Sequence, residues 1–148
     1  MAAEPATYFV LGVVERRGRV LLVQERDGTW YLPAGRVEAG EDLVSALARE
    51  TWEEARQLVE VRGLLAIEHS PALPSPRGAR WRFVFAARPR VDLPPKAEPD
   101  EHTLRAGWFA PSELERLRLR HHEVRRWVAL AASGRPLLPP DAYEFALG

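Results

Sequence analysis

GRVEAGEDLVSALARETWEEARQ, residues 35–57, is the stretch whose reading decides the fold of this chain. Asp42 is a good helix N-cap, and Leu43, Val44, Leu47, Ala48, Thr51, Ala55 and Leu58 recur at helical spacing as the expected buried stripe. Ala46, Glu50, Glu53 and Glu54 fall on another side. Positions 50, 53 and 54 stand at i, i+3 and i+4, so three carboxylates share one face and repel each other. A hard divalent cation removes that repulsion, because Mg²⁺ takes oxygen ligands and completes its shell with water and phosphate oxygens. A solvated acidic face is the competing explanation. The fixed register with Gly35, Glu41 and Arg49 argues against it, since six specified letters recur by chance roughly once in ten million windows. The stretch reads as a metal site built for a phosphorylated substrate.

Upstream, Thr7–Arg16 (TYFVLGVVER) is β-branched and aromatic and reads as a strand, with Gly18 as turn and Val20–Gln24 as hairpin partner. Asp27-Gly28 is a second turn signal. Trp30-Tyr31-Leu32-Pro33 is a short extended piece, Leu32 being pushed towards extended dihedrals by the proline after it. Downstream, Val59–Glu68 and Arg80–Arg88 read as two long strands joined by the Pro-rich loop 70–78, which is expected to be exposed. A Pro- and acid-rich loop from Arg90 to Thr103 precedes a short strand near Gly107-Trp108-Phe109. A helix start at Pro111 and a last helix over His121–Ser133, ended by Gly134, complete the pattern. Strands before, between and after helices of unequal length point to a mixed sheet with helices on both faces.

The chain has 148 residues and a formal net charge of +0, so one domain with a real core is expected and long-range attraction to nucleic acid or an anionic membrane is not. The expectation is a single domain over 1–148, with its core at 7–134 and a Pro-rich tail at 135–148. Cysteine is absent, which removes disulfides, thiolate zinc and a thiol nucleophile. Neither a signal peptide nor a membrane-spanning run is legible, so the cytoplasm is the expected location.

The register of Gly35, Glu41, Arg49, Glu50, Glu53 and Glu54 resembles the Nudix box of the MutT-like hydrolases, and the resemblance extends over about residues 7–134 with its specific part in 30–57. Two features depart from it. Thr51 takes an apolar slot, and Arg56-Gln57 replace the closing Gly-apolar pair, which leaves open whether Arg56 caps the helix in a strained conformation or the helix runs on to Leu58. The resemblance implies an α/β fold, a single-domain α/β/α sandwich with a mixed sheet. It also implies Mg²⁺-dependent hydrolysis of a diphosphate linkage in a nucleoside di- or triphosphate, with Mn²⁺ able to substitute.

By the same resemblance, Glu50, Glu53, Glu54 and the backbone carbonyl of Ala34 hold the metal, Arg49 orients the carboxylates, and Glu41 ties the loop beside Gly35 to the helix. The general base is either Glu50 or a carboxylate of the late loop. Glu101 is favoured there, with Glu98 and Asp100 nearby. The runs at 30–36, 81–85 and 104–109 look like Nudix hydrolases of oxidised guanine diphosphates, which points to His121 and His122 as base contacts and to Tyr8, Trp81 or Phe83 as stacking partners, although core packing competes for each aromatic. An ADP-ribose pyrophosphatase, hinted at by Pro71 and Pro74, is one alternative. A Nudix-fold binding module without catalysis is another, and the intact acids argue against it. The implied partner is a small nucleoside diphosphate derivative, with no nucleic acid and no membrane; a homodimer stays open beside a monomer.

Overall fold

The computed structural model of the chain describes residues 5–71, 78–142, 144 and 146. Seven strands form one sheet: β1 (Thr7–Arg16), β2 (Arg19–Gln24), β3 (Trp30–Tyr31), β4 (Ala34–Arg36), β5 (Val59–Ser70), β6 (Arg80–Pro89) and β7 (Arg105–Phe109). Two helices, α1 (Leu43–Ala55) and α2 (Glu123–Ala132), are joined to it, with a 3₁₀ turn at Pro111–Arg116. The main order is β3-β2-β1-β6-β5, with β4 paired to β1 and β7 to β2. β1 runs parallel to β6, while β5 is antiparallel to β6, so the sheet is mixed.

The edge of β1 away from β6 is shared between two neighbours. Its far end pairs with β2 at Glu15 and Arg16, while Phe9, Val10 and Leu11 pair with Arg36, Gly35 and Ala34 of β4. The chain crosses from one neighbour to the other through β3 and Pro33, whose carbonyl accepts from Gly12 N–H at 2.9 Å. This detour places Gly35 opposite Val10, under the helix.

Side-chain alternation along the strands sorts the core into two layers. Val10 and Phe85 pack with Ala46 and Leu47 of α1, and Val14, Leu21, Val23 and Ala87 continue that face to Ala55. Leu11, Val13, Leu22 and Val84 face the other way and pack with Val124, Trp127 and Val128 of α2. The expected sandwich with a helix on each face is what the structure has.

Its details differ from the sequence reading in two places, the burial on α1 and the start of α2, and decide between the two alternatives left open at Arg56. In α1, Ala46 is fully buried against Val10 and Phe85, whereas Ala48 and Leu58 are exposed. The helix lies so that part of its acidic side, rather than Ala48, turns towards β4. It ends at Arg56, which takes the left-handed conformation (φ 56°) with its N–H on Trp52 O, so the strained cap is realised and the run to Leu58 is not. The last helix begins at Glu123, with His121 and His122 preceding it. Pro74 and most of its loop lie outside the described residues. The tail returns to the sheet at Leu138, which exchanges two backbone hydrogen bonds with Leu64 of β5.

Candidate active site

Asp42 begins the site by capping α1, its Oδ1 accepting from Ser45 N–H at 2.7 Å. Two turns later Arg49 gathers the acids. Its Nε and one terminal nitrogen donate to the two oxygens of Glu41 at 2.8 and 3.0 Å, a bidentate pair, and its other terminal nitrogen reaches Glu50 at 2.8 Å and Glu53 at 3.3 Å. It also donates to the carbonyl of Arg36 at 3.1 Å, tying β4 to the helix. Charge-assisted bonds of this kind hold Glu41 below its ordinary carboxylate range and Arg49 firmly protonated.

Gly35 stands under Glu50 at a distance that leaves no room for a side chain. A Cβ there would lie 2.0 Å from Glu50 Cδ and 2.2 and 2.5 Å from its oxygens. Only glycine lets strand and carboxylate approach this closely. Glu54 accepts from the N–H of Ala34 at 2.8 Å and has no cationic partner among the described residues. Burial pushes its carboxyl up to about 8; the Ala34 N–H opposes the shift, and Glu50, Glu25 and Glu53 add repulsion. Burial also raises Glu50, against the pull of Arg49.

These residues therefore form a crowded acidic array with one arginine for four glutamates. The donor set is all oxygen and carries excess negative charge, which suits a hard divalent cation. The carboxylates are at present turned towards Arg49 and the Ala34 amide, and among the described residues no three acidic or imidazole side chains converge as a finished metal shell. Binding a cation requires Glu50 and Glu53 to exchange part of their contact with Arg49 for it.

His102, which the sequence reading passed over, stands at the rim of the array, with its Nδ1 3.9 Å from Glu53 Oε2 and its Nε2 3.5 Å from Glu101 Oε1. The Glu101 side chain is 83% exposed. Asp100 is committed elsewhere: Lys96 donates to it, as do the N–H groups of His102 and Thr103, and these bonds hold its carboxyl well below the usual range.

On the opposite face of the sheet, at the β3–β4 detour, a cleft of about 160 Å³ is lined by Phe9, Leu11, Tyr31, Arg80, Arg82 and Arg120, with Ala34 and Gly35 at its edge. Buried Glu123 closes a polar network behind it, accepting from Tyr31 Oη at 2.5 Å and from Arg82 at 3.3 Å. Arg82 also donates to Glu68 at 2.7 Å. Arg120 pairs with Glu25 at 2.9 Å and lies 5.0 Å over the ring of Tyr31. Burial raises the Tyr31 hydroxyl, and the hydrogen bond to Glu123 adds to the shift.

The other sequence-predicted contacts sit around this cleft or across from it. His121 and His122 are exposed, their rings 4.3 Å apart, and His121 Nδ1 lies 3.6 Å from Glu123 Oε2. Tyr8 and Trp81 are neighbours in the β1–β6 register and alternate with the cleft-lining Phe9, Arg80 and Arg82, so they share the face of α1. Trp81 stacks on His69 with centroids 4.1 Å apart. A signal for Glu123 existed: it is the single acid between Arg116 and Arg126, and it stands four residues before Trp127, on the buried side of α2.

An α/β/α sandwich whose helix sets an acidic array over a glycine of the sheet defines a NUDIX domain, and residues 4–130 match that family. The chain belongs to it. The 8-oxo-dGDP phosphatase NUDT18 of Mus musculus is 43% identical over 132 residues, covering 84% of this chain and 38% of that protein, and the human protein of the same name is 41% identical over 146 residues, covering 90% and 43%. The chain thus spans about two fifths of the length of these relatives. An ADP-ribose pyrophosphatase of Methanocaldococcus jannaschii is 35% identical over 78 residues, covering 50% of this chain and 46% of that protein. A solved NUDIX hydrolase from Nitrosomonas europaea superposes with a TM-score of 0.80 at 26% identity, covering 96% of this chain and 98% of that one.

Proposed function

We propose that the chain is a Mg²⁺-dependent hydrolase of a diphosphate linkage in a nucleoside di- or triphosphate, with an oxidised guanine nucleotide as the preferred substrate. The observation that carries this reading is the uncompensated acidic array of Glu50, Glu53 and Glu54 above Gly35. Those three carboxylates and the Ala34 carbonyl would hold the cation. When bound, it supplies charge that offsets the negative charge growing on the phosphate oxygens and eases deprotonation of the attacking water. Arg49 keeps the carboxylates oriented through its bonds to Glu41, Glu50 and Glu53. Glu101, exposed at the rim beside His102, accepts the proton, with Glu50 as the other candidate.

The cleft of Tyr31, Arg82 and Arg120 takes the base. Glu123 offers acceptors and Arg82 donors behind it, a pairing suited to guanine, which presents two adjacent N–H donors and a carbonyl on one edge. Arg120 lies over the Tyr31 ring at the cleft wall, and His121 stands beside Glu123. Tyr8 and Trp81 flank whatever part of the substrate extends along the α1 face. The names of the mouse and human relatives support this substrate class. The M. jannaschii relative favours a second reading, ADP-ribose, in which the same cleft receives a ribose. Incubation with 8-oxo-dGDP, dGDP and ADP-ribose in Mg²⁺, with products separated, tests the choice: the oxidised guanine nucleotide should have the highest kcat/KM, and ADP-ribose in that place would replace the first reading with the second.

A further inference from the structure

The loop after β6 is fastened to the end of α1 by five consecutive residues. Glu53 O accepts from Lys96 Nζ at 3.2 Å, Glu54 O from Thr103 Oγ1 at 2.7 Å, and Ala55 O from Lys96 N–H at 3.0 Å. The Arg56 guanidinium lies 3.6 Å from Asp100 Oδ2, and Gln57 Nε2 donates to the carbonyls of Leu93 and Pro94 at 3.1 and 3.2 Å. Lys96, the only lysine, is 5% exposed and uses all three ammonium donors, on Glu53 O, Asp100 Oδ1 and Thr103 Oγ1. Its charge also sits at the C-terminal end of α1, where the helix dipole favours a cation.

Two of the five, Arg56 and Gln57, are among the positions at which the chain departs from the Nudix box. Arg56 holds a left-handed backbone (φ 56°) that glycine would adopt without strain. Fully buried Gln57 leaves its Oε1 without a hydrogen bond, which an apolar side chain would avoid. Both choices cost stability locally, and both hold the loop. Asp100, gripped by Arg56 and Lys96, in turn accepts from the N–H groups of His102 and Thr103 at 2.8 and 3.2 Å. His102 is thereby set beside Glu53.

We propose that Arg56, Gln57 and Lys96 are positioning residues that clamp the 92–103 loop onto the end of α1 and so hold His102 where it donates a hydrogen bond to the substrate's phosphate. The role of His102 rests on the hydrolase reading; the clamp itself does not. The decisive variant is Arg56→Gly with Gln57→Leu, which restores a Gly-apolar ending and relieves both local costs, so the fold survives. The melting temperature should hold or rise. Amide exchange at His102 and Thr103 should become about tenfold faster, and kcat should fall about three- to tenfold with KM nearly unchanged. Arg56→Lys, which keeps a cation near Asp100, should recover part of the loss. In a His102→Ala background the double change should lower kcat no further.

Unchanged exchange at 102–103 would overturn the clamp, and an undiminished kcat loss in the His102→Ala background would overturn its action through His102. Should the wild-type chain hydrolyse no nucleotide, the functional reading fails, while the exchange measurement still decides the clamp.

Discussion

The two faces of the sheet meet at Ala34-Gly35 and handle charge in opposite ways. On the α1 face, Glu41, Glu50 and Glu53 share the single cation of Arg49, and Glu54 has only a backbone N–H. On the α2 face the described acids around the cleft are all matched: Glu123 and Glu68 share Arg82, Glu123 also accepts from Tyr31, and Glu25 pairs with Arg120. An unbalanced array gains from an added cation, whereas a satisfied network gains nothing from charge and discriminates among neutral polar ligands by the hydrogen bonds they can share. We therefore assign chemistry to the first face and recognition to the second. Perturbing each should leave different signatures.

The largest expected effect is on the unbalanced face. Glu53→Gln and Glu54→Gln should each lower kcat by roughly a hundredfold or more, and chelation should abolish turnover. Melting of the metal-free protein should not suffer, because glutamine at 54 still offers Ala34 an acceptor, glutamine at 53 still offers one to Arg49, and like-charge repulsion within the array is relieved. Glu101→Gln should lower kcat by about a hundredfold without raising the Mg²⁺ requirement. Near-wild-type turnover in either array variant would dissolve the division of labour between the faces.

Gly35→Ala tests the same face from the strand side. A Cβ 2.0 Å from Glu50 Cδ must displace that carboxylate, so kcat should fall about ten- to a hundredfold while base preference stays as it was. A variant with altered base preference and intact kcat would reverse the assignment of the faces.

These two predictions concern residues the sequence made visible, and the reason is locality. Gly35, Glu41, Arg49, Glu50, Glu53 and Glu54 lie within one continuous stretch of strand, loop and helix, so helical geometry brings Glu50, Glu53 and Glu54 together and Arg49 reaches back to Glu41. The cleft and the network behind it draw on Tyr31 of β3, Arg82 of β6, and Arg120 and Glu123 around the start of α2, three segments far apart in the chain, and no periodicity links them. The strands and the two-faced layering were legible from β-branched runs and turn residues. The burial of Ala46 and exposure of Ala48 were not, because the rotation of α1 about its axis depends on β4 lying beneath it. The left-handed cap at Arg56 was one of two open alternatives, since a non-glycine residue there signals either strain or a longer helix.

A smaller effect comes from acid–base linkage. With its carboxyl at about 8 in the folded metal-free protein against 4.5 as the ordinary value, Glu54 binds more protons folded than unfolded between those limits. The metal-free protein therefore loses stability as pH rises from about 4.5 to 8, by a few kcal/mol. On the proposed metal-dependent reading Mg²⁺ would bind the ionised form, so its stabilisation should be larger at pH 8 than at pH 6. Thermal melts with and without Mg²⁺ at the two pH values measure both slopes. A metal-free protein that becomes more stable over this range would show that Glu54 is not carrying unrelieved charge.

The smallest effects belong to the balanced face, and there the order within the face matters more than the size. Glu123 is buried and bonded to both Tyr31 and Arg82, whereas His121 is exposed and touches the network only through Glu123. Glu123→Gln keeps the shape but exchanges one acceptor for a donor, so KM for a guanine nucleotide should rise about tenfold, or about 1–2 kcal/mol, with kcat and the pyrimidine KM little changed. His121→Ala should cost less, about two- to threefold, and His122→Ala less again, since its ring meets His121 rather than the network. If His121→Ala instead matches or exceeds Glu123→Gln, the base is read at the exposed rim, and the satisfied network behind the cleft is a structural tie between α2 and the sheet.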